Sequence, residues 1–197
     1  MTVATQPTFV PGRVYRTRDL GRWGANPPRL AQRLVRDGRL VQLAHGLFAA
    51  PKESRFGVVP PTDEALMCAF LDGGPFVFTG PERWNALGLG TTAVFARPLV
   101  YNTKRSGLFR LGGREFLLRR VAFPEMPQPE WFVIDLFENA EKVAASREEL
   151  ATSLAVVLRA GRFDRTRLLD MSQRYGSRRT QALVRAALAA SGEGAEG

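Results

Sequence analysis

Residues 26–51 read NPPRLAQRLVRDGRLVQLAHGLFAAP, and the spacing inside this stretch decides the N-terminal fold. Asn26 is a good N-cap, Pro27 and Pro28 suit a first helical turn, and Gly38 supplies a left-handed stop. Between them Leu30, Ala31, Leu34 and Val35 share one helical face, while Arg29, Gln32, Arg33 and Arg36 share the opposite one. One face packs and the other looks outward. Two short β-like runs follow at 39–43 and 47–50, joined by Ala44, His45 and Gly46, which predicts a hairpin. Upstream, Thr17 is placed to cap a short helix that carries Arg18, Leu20 and Trp23 and ends at Gly24. A short helix, a tight turn, a second helix with an Arg/Gln face and then a hairpin is the order of a winged helix-turn-helix. Its second helix enters the major groove of DNA.

The charge points the same way. The chain has 197 residues with 28 basic and 19 acidic side chains, net +9. The excess sits at the two ends: residues 1–60 carry +7, residues 61–158 carry −2 and residues 159–185 carry +6. Such a distribution implies an anionic partner, most simply double-stranded DNA. All basic residues except Lys52, Lys104 and Lys142 are Arg, which suits bidentate contacts with guanine and phosphate. The base-reading candidates are Arg29, Gln32, Arg33 and Arg36. Arg39, Gln42, His45 and Lys52 on the hairpin, with Thr17, Arg18 and Arg22, are candidates for phosphate contacts. Arg159, Arg162, Arg165, Arg167, Arg174, Arg178, Arg179 and Arg185 form a second basic set, either a further nucleic-acid surface or solvated helix faces.

Other classes recede. A single cysteine, Cys68, excludes an intramolecular disulfide and suits the cytoplasm; set among Leu66, Ala69 and Phe70, it reads as a small core residue. No run approaches the roughly 18 apolar residues of a membrane span, and the first dozen residues lack an export signal. With one His there is no HExxH, and neither GxSxG nor GxxxxGK[ST] occurs. Asp135, Glu138 and Glu141 lie at helical spacing and read as a solvated acidic stripe rather than a metal site. Trp84, Trp131 and Phe132 read as core anchors. The expectation is a protein without catalytic residues, metal or cofactor.

Along the chain, residues 1–12 and the tail from Ser191 read as loose ends, and the Gly- and Pro-containing stretch 56–61 reads as a linker. That places a winged-helix domain at 1–58 and a second domain at 59–197. In the second, Thr62 caps a helix through Leu71, a strand covers 76–79, and Pro81 opens a short helix ended by Gly88 and Gly90. Strands follow at 99–103, 108–111 and 114–121, with Gly112-Gly113 as a two-residue turn. Helices then cover about 131–145, 147–160, 165–175 and 178–190. The fold class is α+β: an N-terminal winged helix-turn-helix, then an α/β domain with a small antiparallel sheet and a helical C-terminus.

The run from Arg29 to Pro51 resembles the N-terminal winged-helix segment of the AbiE-type abortive-infection antitoxins, whose usual form is a helix followed by "dG.i.rl.rGlY..p". Asp37-Gly38-Arg39-Leu40, Leu43, Gly46, Leu47 and Phe48 occupy those positions; Phe48 replaces the usual Tyr, and Ala44-His45 stands where a basic residue is common. The run FVFTGPERWNALGLGTT, Phe76 to Thr92, is similar to the family's strand, Gly, short helix and "LGL" segment. Together the two runs cover about 40 residues. The resemblance implies an antitoxin whose N-terminal unit binds inverted repeats in its own promoter and represses, as a dimer or as two monomers. It also implies a C-terminal domain that neutralises a nucleotidyltransferase toxin without forming a stable complex with it. Two further readings stand beside this one: a winged-helix regulator whose second domain senses a ligand or a protein, and a nucleic-acid-modifying enzyme acting through Asp135 or Glu138.

Overall fold

The computed structural model describes residues 7–192. It is a mixed α+β chain of helices and small antiparallel sheets. The described residues form two compact units. One holds residues 7–76 with Thr103–Leu117, and the other holds Val77–Asn102 with residues 118–192.

The first unit opens with β1 (Val14–Arg16), a 3₁₀ helix (Thr17–Trp23), α1 (Pro27–Arg36), β2 (Val41–Ala44) and β3 (Leu47–Ala49). Strand order is β1-β3-β2, antiparallel throughout, with Tyr15 opposite Phe48 and Val41 opposite Ala49. Three residues are too few to display alternation, and β1 is absent from the sequence pattern. Helix α1 has the expected ends: the Asn26 side chain accepts the Arg29 N–H at 3.1 Å, and Gly38 takes φ +69°. Leu30, Ala31 and Leu34 are buried against Tyr15, Leu20, Leu40 and Phe48. The 3₁₀ helix is capped differently from the expectation, because the Asp19 carboxylate accepts the Arg16 N–H at 2.8 Å and Thr17 is already its first residue.

Residues 7–12 are not a loose arm. Phe9 packs edge-on against Tyr15 and Trp23 with ring centroids 5.3 and 4.9 Å apart, and the Val10 N–H donates to the Tyr15 hydroxyl at 2.9 Å. Residues 1–6 lie outside the described residues. The linker expected at 56–61 is likewise replaced by structure. β4 (Lys52–Ser54) and β5 (Gly57–Val59) pair as a hairpin, so the boundary expected after residue 58 falls inside a strand. Ser54 and Gly57 flank its turn, where Ser54 Oγ donates to the Gly57 carbonyl at 2.9 Å.

Thr62 caps α2 (Asp63–Phe70) by accepting the Ala65 N–H at 3.2 Å. Leu66 and Met67 are buried while Cys68 is exposed, which corrects its placement in the core. The segment Thr103–Leu117 joins this unit through β8 (Gly107–Leu111) and the first half of β9 (Arg114–Arg120), joined by the Gly112-Gly113 turn with both φ positive. Its ties are specific. The Gly112 N–H donates to the Leu43 carbonyl at 2.8 Å, Arg114 pairs with Asp63 and donates to the Pro61 carbonyl, and Lys104 donates to the Leu71 carbonyl at the end of α2.

The second unit contains β6 (Phe76–Thr79) from Val77 onward, α3 (Pro81–Asn85), β7 (Leu99–Asn102) and the end of β9. It continues with α4 (Pro129–Glu138), a 3₁₀ turn (Ala140–Val143), α5 (Arg147–Arg159), α6 (Arg165–Tyr175) and α7 (Arg178–Ala190). Helix α4 is buried from Glu130 through Phe137, as a helix at the centre of a core must be. Trp84, Trp131 and Phe132 are core residues, as expected. The expected helix 131–145 breaks at Asn139, and Ser146 with Glu149 forms the capping box that starts α5. The tail is anchored as far as it is described: Ser191 is buried and its hydroxyl accepts from Arg165 at 2.7 Å. Among the described residues no helix is long and apolar enough to cross a membrane.

The acidic stripe expected at Asp135, Glu138 and Glu141 is not solvated as a unit. Asp135 is 5% exposed, and its carboxylate accepts from the Thr79 hydroxyl, from Trp84 Nε1 at 2.9 Å and from Asn139 Nδ2 at 3.0 Å. A buried carboxylate needs such donors, and these join β6, α3 and α4. Glu138 accepts the Ser177 N–H at 2.8 Å and the Thr180 hydroxyl at 2.6 Å, at the start of α7. Glu141 pairs with Arg147 at 3.3 Å.

Candidate nucleic-acid interface

The interface builds from α1. Its apolar face is consumed by the core of the first unit, which fixes the rotation of the helix and leaves Arg29, Gln32, Arg33 and Arg36 exposed. These side chains stand at i, i+3, i+4 and i+7, one stripe along the helix. Among the described residues none of them makes a side-chain hydrogen bond or ion pair, so their donors face solvent. Arg33 and Arg36 lie in the last turn, where the helix dipole favours cations.

The hairpin β2–β3 stands beside the start of the 3₁₀ helix. Its tip carries exposed His45, and Gln42 is exposed on β2 with Nε2 3.4 Å from the Ala44 carbonyl. Lys52 is exposed on β4, a strand the sequence pattern does not mark. A cavity of about 350 Å³ opens at this tip, lined by Arg16, Thr17, Arg18, His45, Phe70 and Arg105 among others. Arg16 and Arg105 were not among the sequence candidates. Arg105 sits in a stretch that is neutral overall, and only the fold brings that stretch into the basic unit.

Comparison with family models and with curated protein sequences gives no match.

Other expected contacts are partly spent inside the fold. Arg18 makes a double hydrogen bond with the Asp72 carboxylate, which also pairs with Arg16 at 3.0 Å. Arg39 donates to the Pro7 carbonyl and lies 5.6 Å from the Phe9 ring centroid, so it fastens the N-terminal segment. Arg22 is exposed and lies 5.1 Å over Trp23.

The second basic set is mostly engaged within its own unit. Arg165 donates to Ser191 and to the Leu188 carbonyl at the end of α7, Arg167 pairs with Glu130 at 3.6 Å, and Arg174 pairs with Asp170 at 3.5 Å. Arg179 pairs with Glu148 at 2.8 Å, Arg185 donates to Gln181 at 3.3 Å, and Arg162 donates to the Ala86 carbonyl at 3.4 Å. Arg159 and Arg178 are exposed, with no such partner among the described residues. This set is woven into helix ends and helix pairs, whereas the α1 stripe is not.

Proposed function

We propose that this chain is a sequence-specific DNA-binding repressor, with the first unit acting as a winged helix-turn-helix and α1 as its reading helix. The observation that carries this reading is the α1 stripe. Three arginines and a glutamine at helical spacing face solvent with their donors unspent, on a helix whose opposite face is locked into a core. Arg donates bidentately to guanine O6 and N7 and Gln to adenine, which is the chemistry of major-groove readout. The order β1, 3₁₀ helix, α1, β2, β3 with strand order β1-β3-β2 agrees with it, and so does the +7 charge of residues 1–60.

The biological role follows from the sequence resemblance: a cytoplasmic AbiE-like antitoxin of a type IV toxin–antitoxin pair that binds inverted repeats in its own promoter. The functional partner is a nucleotidyltransferase toxin that it counters without stable contact. Two copies on a palindrome would set their reading helices about one DNA turn apart, and repression is by occupancy.

An electrophoretic shift assay with the DNA upstream of its own reading frame, against a scrambled duplex at low and physiological salt, tests this. Selective binding that survives salt is expected. Binding that fades equally on both duplexes means backbone electrostatics alone, and the repressor reading falls. For the antitoxin role, the neighbouring reading frame expressed alone should arrest growth, and co-expression of this chain should relieve the arrest.

A further inference from the structure

A cavity of about 250 Å³ opens in the second unit, lined by Tyr101, Arg119, Trp131, Asp135, Asn139 and Tyr175 among others. Its carboxylates are already satisfied. Asp135 is held by Thr79, Trp84 and Asn139, and Glu138, also on the wall, is turned onto Ser177 and Thr180. The cations are in a different position. Arg119 Nη1 donates to Asn139 Oδ1 at 3.3 Å, and Lys142 Nζ donates to that same oxygen at 2.7 Å. Among the described residues this neutral amide oxygen is the one hydrogen-bond acceptor that either charged group has.

Two like charges thus converge on one uncharged acceptor, eased by Asp135 near Lys142 and by the Tyr101 ring, whose centroid lies 5.9 Å from Arg119. The Lys142 ammonium is held below its ordinary range by burial first and then by Arg119, against the pull of Asp135. Asn139 cannot turn its amide to help, because Nδ2 is committed to Asp135 and to the Tyr101 hydroxyl at 2.9 Å. An anion beside these groups would give both cations a charged acceptor in place of a shared neutral one and would offset their mutual repulsion.

We propose that this cavity is a binding site for a small anion, a carboxylate or a phosphate, held by Arg119 on its wall and by Lys142, which is not itself a wall residue but reaches the wall residue Asn139 through the shared Oδ1. Trp131, Tyr175, Val121 and Ile134 offer an apolar wall to the rest of such a molecule. The volume suits a compact metabolite, since pockets for drug-sized ligands start near about 300 Å³. The site's lining residues all belong to the second unit, and its assignment does not rest on the DNA-binding reading of the first.

Isothermal titration of the full-length protein with inorganic phosphate, with benzoate and with uncharged benzamide tests it. Saturable binding of at least one anion is expected, without saturable binding of benzamide. Affinity should fall at least tenfold in both Arg119→Met and Lys142→Met, with circular-dichroism melts reporting the fold. Lys142 is exposed on a 3₁₀ turn, so its variant reads the site even where Arg119→Met lowers stability. Phosphate binding alone assigns a phosphate ligand, and benzoate binding alone a carboxylate. No saturable binding of either anion, equal binding of benzamide, or unchanged affinity in Lys142→Met overturns the proposal.

Discussion

The Thr17 N–H donates to the Gly46 carbonyl at 3.0 Å, which fastens the first turn of the 3₁₀ helix to the tip of the β2–β3 hairpin. The hairpin tip is thereby referenced to the helical pair rather than swinging on its two strands. His45 is the residue next to it at the tip, so this bond ties the proposed wing to the helix that precedes α1.

The cap that orients α1 is measurable. Asn26→Ala removes the acceptor of the Arg29 N–H and should cost about 1 kcal/mol. Urea unfolding monitored by circular dichroism should show a lower midpoint with an unchanged m-value.

Facing decides the next comparison. Leu34 is 2% exposed in the core of the first unit, and its neighbour Arg33 is exposed. Leu34→Ala should cost about 2–5 kcal/mol through lost burial and a cavity, whereas Arg33→Ala should change stability by no more than about 0.5 kcal/mol. Comparable losses in the two variants would mean that α1 is rotated from the orientation described.

The α1 helix was legible because its signals agree: a cap, two prolines, a stop glycine and a two-faced pattern all fall within thirteen residues, 26–38. The Gly112-Gly113 turn and the last three C-terminal helices were legible from local signals too, whereas the break at Asn139 was not. What stayed hidden depends on long-range contact. Nothing local marks Asp135 as buried, because its donors Thr79 and Trp84 lie more than fifty residues away in sequence. The stretch Thr103–Leu117 joins the first unit through Leu43, Pro61 and Leu71, contacts that no periodicity announces. Of the expected site residues, those on α1 are exposed as read, while Arg18 and Arg39 are drawn into the fold by Asp72 and Pro7.

Two carboxyls should make stability depend on pH in opposite directions. Burial raises the Asp135 carboxyl above its ordinary value, by more than Thr79, Tyr101, Trp84 and Lys142 lower it. The folded state then holds this proton more tightly than the unfolded chain. Its contribution is therefore greatest below about pH 4 and declines as pH rises toward and through the folded value. Burial also raises Glu138, but hydrogen bonds from Thr180 and Ser177 outweigh it and leave the group lowered. That stabilisation is present above the ordinary glutamate value and is lost as pH falls through the folded one. In urea unfolding across pH 3–8, Asp135→Asn should flatten the decline above about pH 4, and Glu138→Gln should flatten the loss at the acid end. An unchanged slope in Asp135→Asn would contradict the buried charge.

Arg165 separates structural from nucleic-acid roles in the second basic set. Its guanidinium closes the end of α7 through Ser191 and the Leu188 carbonyl. Arg165→Ala should cost about 1 kcal/mol of stability and leave affinity for the upstream duplex unchanged. A fall in affinity at constant stability would make this surface part of the DNA site.

The most direct measurement of the central claim is a fluorescence-anisotropy titration of the upstream duplex and its scrambled control, at physiological salt, with the wild type and an Arg33→Ala/Arg36→Ala double variant. The α1 assignment predicts a folded double variant whose specific affinity falls by about 1–3 kcal/mol for each arginine that contacts a base, with a much smaller change on the scrambled duplex. A folded double variant that binds the upstream duplex as tightly as the wild type would contradict α1 as the reading helix.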